Sequence, residues 1–122
     1  MLNIISFKDS LPEPEFDYPR PERLVKNNPK RTTWNLFTNA SGEINAGIWE
    51  CEVGSWKIIM GPTEDEFFHV ISGKARLHVG DKMTEINAGE SVIIPAGTEA
   101  IFEVVERVRK HYVIVEGKIH NS

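Results

Sequence analysis

Between residues 33 and 115 the chain is built from short runs of β-branched and aromatic residues, separated by turn formers. Runs at 33–38, 46–51, 56–60, 66–72, 75–79, 83–86, 91–95, 100–105 and 111–115 each predict a strand. The breakers between them are Ser41-Gly42, Val53-Gly54, Gly61-Pro62, Ser72-Gly73, Gly80-Asp81, Ala88-Gly89 and Ala96-Gly97. No stretch carries a sustained helical period. This pattern predicts an all-β sandwich or closed barrel.

Residues 1–32 follow a different rule. Pro12, Pro14, Pro19 and Pro21 fall within ten positions. Proline fixes φ and removes a donor, so the segment reads as an extended arm, with one short helical turn allowed at Pro21-Glu22-Arg23-Leu24. Phe16, Tyr18 and Leu24 give the arm apolar surface to bury on the barrel or on a neighbouring subunit. The expected organisation is an arm at 1–32, a barrel at 33–116 and a polar tail at 117–122 that contains His120.

Strand alternation assigns faces. It puts Phe68 and Val70 with Glu66, and Phe67, His69 and Ile71 on the opposite side. Phe102 and Val104 share the side of Ala100, and Ala75, Leu77 and Val79 form another inward set, with His78 facing out. On the last strand, Lys110 and Tyr112 point one way and His111 the other. Which of those faces looks inward is open at this level.

Composition narrows the chemistry. The 122 residues make one domain, with a formal net charge of −4. That balance disfavours nucleic acid, whose phosphates need a positive face. The basic group Arg107, Arg109, Lys110 is split across strand faces and reads as a solvated edge. Nothing resembles a secretory leader or a membrane span, so no membrane partner is expected. The single cysteine, Cys51, sits in a strand-like run and reads as a buried structural thiol in a reducing cytoplasm.

Two glycine-anchored frames add a resemblance. The first places Gly54, Met60, Pro62, Glu66 and Gly73, and the second Gly89, Pro95, Gly97 and Ala100, with fifteen residues between them. Their spacing resembles the two motifs of the cupin superfamily. The order Gly47-Ile48-Trp49-Glu50, Glu66 to Gly73, Pro95-Ala96-Gly97-Thr98 and Val108 to Tyr112 is similar to the small single-domain cupins of the ureidoglycine aminohydrolase and ethanolamine-utilisation type. The resemblance covers roughly residues 31–116. It implies a jelly-roll (double-stranded β-helix) barrel, with side chains 60, 62, 66 and 100 facing the interior. A metal-binding member would carry His at 60, 62 and 100. This chain keeps only Glu66, and has Met60, Pro62 and Ala100 at the other positions.

The expectation is therefore a barrel-interior pocket for a small polar metabolite, without a bound cofactor. Glu66, Lys110 and Tyr112 are the candidate reactive or anchoring groups. Trp49, Trp56, Met60, Phe68, Ala100, Phe102 and His111 are the candidate ligand-contacting walls. The alternative is an enzyme of small nitrogen compounds, using manganese or another divalent cation recruited by other residues. A homodimer is expected, because pairing or an arm swap would cover a sheet edge.

Overall fold

The computed structural model describes residues 3–118. Its strands are β1 (Glu15–Asp17), β2 (Leu24–Lys26), β3 (Arg31–Thr38), β4 (Ile44–Cys51), β5 (Gly54–Ile59), β6 (Glu64–Val79), β7 (Lys82–Asn87), β8 (Ser91–Ile94) and β9 (Glu99–Glu116). One 3-10 turn, Pro21–Arg23, begins on a proline as the sequence predicts.

Two long strands organise the sheet. β6 and β9 run antiparallel from Glu64 opposite Glu116 to His78 opposite Ile101. On its other edge β9 pairs first with β5 and then with β4, while β6 pairs with β8 and then β7. β3 and β1 extend the sheet beyond β4, and β2 extends it beyond β5. The result is a curled jelly-roll sheet whose concave side holds the core.

That core follows the predicted parity. Phe68, Val70, Ala75, Leu77, Phe102, Val104 and Val108 are buried, together with Ile86 and Ile94 from the short strands. Burying a side chain such as Phe68 is worth about 1.5–3 kcal/mol. Cys51 is buried as expected, and burial pushes its thiol up to about 12. Val79 departs from the pattern: it is exposed at the end of β6, where the strand passes into the Gly80 turn.

The division of the sequence into runs misleads in two places. Ser72-Gly73 does not end a strand, because β6 continues through it by shifting register at Val70, Ser72 and Lys74. Gly73 takes φ +87, and a Cβ there would stand 2.0 Å from the Arg107 carbonyl oxygen. This bulge changes the inward parity from Glu66, Phe68 and Val70 to Ala75 and Leu77. Likewise, the runs at 100–105 and 111–115 are one strand, β9. Its basic middle remains in the sheet because Arg107 and Arg109 both pair with Glu50 of β4.

The arm is extended, yet it is also part of the sheet. β1 pairs with β3, and β2 pairs with β5. Arg31 of β3 holds the arm through a two-pronged contact with the Asp17 carboxylate, at 2.8 and 2.7 Å.

Candidate functional site

The concave face of the sheet surrounds a cavity of about 590 Å³. β3 contributes Thr33 and Asn35, β4 Trp49, β5 Trp56 and Ile58, β6 Glu64 and Glu66, and β9 Phe102, Lys110 and Tyr112. Met60, Ile94 and Ile114 complete the apolar part of the wall. The volume lies within the range usual for small-molecule sites.

An ion pair stands in this wall. Lys110 Nζ donates to Glu66 Oε2 at 2.8 Å, and the two side chains are only 5% and 14% exposed. Lys110 lies opposite Val70 on the neighbouring strand, four residues along from Glu66. This register brings the ammonium over the Phe68 ring as it meets the carboxylate. The ammonium stands 4.0 Å from the Phe68 ring centroid, 4.4 Å from Trp49 and 5.1 Å from Phe102. Three aromatic faces and one carboxylate thus compensate a charge that burial would otherwise penalise.

The rings support one another. Trp56 stacks on Phe102 at 5.2 Å and 20°, and Trp49 meets Phe102 edge-on at 5.7 Å and 71°. Elsewhere the cavity wall carries neutral polar side chains, among them Asn35, Asn45 and Tyr112. Tyr112 donates its hydroxyl to Asn35 Oδ1 at 2.7 Å, and Asn35 in turn donates to Thr38, which bonds Asn45. Burial first, and then the nearby Glu66 charge, pushes the Tyr112 phenol up to about 12. Gly47 makes room for this contact, because a Cβ there would lie 2.8 Å from the Tyr112 hydroxyl. Tyr112, grouped with Glu66 and Lys110 as a candidate anchor, turns its hydroxyl to Asn35 and not to Glu66.

The cavity brings together Glu66, Lys110, Tyr112, Trp49, Trp56, Met60 and Phe102. Three other expected contacts fall outside it. Phe68 is fully buried beneath the Lys110 ammonium, and Ala100 is packed in the sheet opposite Ile58. His111 points to the convex side, with its ring 4.8 Å from that of Phe7. The long register of β9 decides this: Ala100, Phe102, Val104, Val108, Lys110 and Tyr112 keep one parity and leave His111 on the other. Desolvation, followed by the charges of Arg109 and His69, lowers the His111 pKa.

Residues not singled out in the sequence are also present in the wall. Asn35, Thr33 and Glu64 line it, and Glu64 accepts the Gly61 amide at 3.0 Å. Alternation along β3 from Arg31 was the available signal for Thr33 and Asn35.

The donor set does not fit a divalent cation at the motif position. Met60 offers a thioether and Ala100 offers nothing. Pro62 is exposed and outside the cavity, against the expectation that it faces inward. An ammonium already stands against Glu66. Among the described residues, no three His, Cys, Asp or Glu side chains converge as a metal centre would require. His120 of the tail lies outside the described residues.

Comparison with known proteins agrees on the fold. The Clostridium difficile EutQ protein superposes with a TM-score of 0.65 at 24% identity, over 74% of this chain and 65% of that one. A Pseudomonas syringae protein of unknown function gives 0.74 at 21% identity, over 91% of this chain and 46% of its own. A putative ethanolamine utilization protein Q from Salmonella typhimurium gives 0.64 at 17% identity, over 90% and 100%. The chain thus spans less than two thirds of the first two of these proteins. No curated protein matches it. Residues 38–112 match the EutQ-like cupin domain, and on that match the chain belongs to the EutQ-like cupin family.

Proposed function

We propose that this cupin binds a small polar metabolite in its barrel interior, without a metal, and that the Lys110–Glu66 pair anchors the ligand. The observation behind this reading is the buried ammonium at the cavity wall. It supplies Glu66 with a cation from the chain itself, where related metal sites would supply an ion. Lys110 has three donors and gives one to Glu66. A ligand carbonyl, hydroxyl or carboxylate can accept from the others, while Glu66 Oε1 accepts from a ligand donor. The Trp49, Trp56 and Phe102 rings provide an apolar wall for the ligand body, and Asn35 and Tyr112 provide a second polar end.

The same pair is suited to proton transfer, with Glu66 as base and the Lys110 ammonium as acid on one small substrate. We further propose that the protein works as a homodimer, with the exposed Ile4, Ile5 and Ile93 finding cover in a second copy.

A thermal-shift and calorimetric screen of carboxylates, ureides, amines and sugars tests the reading. A ligand should raise the melting temperature of the wild type, and Lys110→Met and Glu66→Gln should abolish that rise. Binding that persists in both variants sinks the assignment of the site. Activity that requires an added divalent metal and vanishes with chelator would favour the rival reading, a metal-dependent enzyme of the ureidoglycine aminohydrolase kind.

A further inference from the structure

The convex side of the sheet carries a feature that the cavity does not use. His69 of β6 and His111 of β9 are directly opposed partners in the antiparallel ladder. Opposed residues hold their Cβ atoms about 4.5–5.5 Å apart on one face, so two imidazoles there can reach a common point. Both side chains are partly exposed, and both face away from the core. His69 Nδ1 is 2.7 Å from Ser91 Oγ of β8. When Nδ1–H donates to that hydroxyl, the Nε2 lone pair is left free and the ring is fixed in orientation. This is the outer-sphere arrangement common to metal-ligating histidines. The Phe7 ring packs against that of His111 at 4.8 Å. Arg109, the next outward side chain on β9, is turned to the Glu50 carboxylate of β4.

We propose that His69 and His111 form a two-histidine site for a borderline transition-metal dication such as zinc, nickel or copper. Imidazole nitrogen suits these ions, whereas manganese and magnesium prefer oxygen donors. Two protein ligands leave the remaining coordination positions for water or an external donor, so the metal exchanges readily. The site lies on the opposite face of the sheet from Lys110 and Glu66 and is independent of the cavity.

The test is calorimetric titration of tag-free, chelator-stripped full-length protein with zinc chloride. The wild type should bind one zinc per chain. His69→Ala and His111→Ala should each weaken binding by at least about tenfold, and Ser91→Ala by a smaller factor. His78→Ala, at a histidine already paired with Glu103, should bind as the wild type does. Long-range imidazole ¹H–¹⁵N spectra should show the His69 Nε2 resonance shifting on zinc addition. Native melting curves establish that each variant is folded. The proposal is overturned if the wild type shows no saturable binding up to about 1 mM zinc, the weak end of specific affinity. It is equally overturned if binding survives in both His69→Ala and His111→Ala.

Discussion

Breaking the Lys110–Glu66 pair from one side should cost far more than removing both charges. At the observed 2.8 Å, two unit charges attract by about 6 kcal/mol at an effective dielectric near 20. Desolvation offsets several kcal/mol of that for each ion. Lys110→Met leaves the Glu66 carboxylate in a largely buried setting with no cation, and should destabilise by about 3–5 kcal/mol. Glu66→Leu leaves the ammonium among the faces of Trp49, Phe68 and Phe102. Each face retains about 0.5–2 kcal/mol of attraction, so the loss should be smaller, about 2–3 kcal/mol. The double variant presents two apolar side chains to an apolar wall and should lie within about 2 kcal/mol of wild type. Urea unfolding at pH 7 measures all four proteins, with an unchanged m-value as the check that only stability has moved. The cycle should give a coupling of at least about 3 kcal/mol. If the two single losses add to the double within about 0.5 kcal/mol, the charges are not coupled and the reasoning fails.

Other outcomes follow from the same geometry. Gly73→Ala puts a methyl 2.0 Å from the Arg107 carbonyl at φ +87, and should cost about 3 kcal/mol or more in urea unfolding; a loss below about 1 kcal/mol would mean the bulge is soft. Tyr112 is raised from 10.0 to about 12, so the folded state keeps a proton that the unfolded chain releases. Stability should therefore fall as pH rises between those two values, and Tyr112→Phe should flatten that slope in pH-dependent unfolding. Cys51 should ignore a thiol reagent in native buffer at pH 8 and react completely in urea, since burial holds its thiol near 12. Reaction in native buffer at the rate of an exposed thiol would contradict its placement.

Much of the fold was legible in the sequence because strand alternation is a local property. Glu66, Phe68 and Val70 are inward for the same reason that Phe67, His69 and Ile71 are not. Strand length was not legible. A Ser-Gly pair reads as a turn, and only the partner strand reveals that Gly73 is a bulge inside one long β6. The interior face of β9 was ambiguous for a related reason. The sequence shows that Lys110 and His111 oppose each other, but a buried lysine looks less plausible than a buried histidine until its partners are known. Those partners, Glu66, Trp49, Phe68 and Phe102, come from three different strands. The Tyr112–Asn35 contact spans 77 positions and had no local signature. The His69–His111 pairing was hidden in the same way, since it depends on the register between β6 and β9.

The central claim is that the Lys110 ammonium serves as the cation of Glu66. Crystals grown with manganese and zinc, with anomalous diffraction recorded at each metal edge, test it most directly. The account predicts no anomalous peak within bonding distance of Glu66, and Lys110 Nζ still hydrogen-bonded to that carboxylate. A metal bound to Glu66, with the Lys110 side chain displaced, would contradict it.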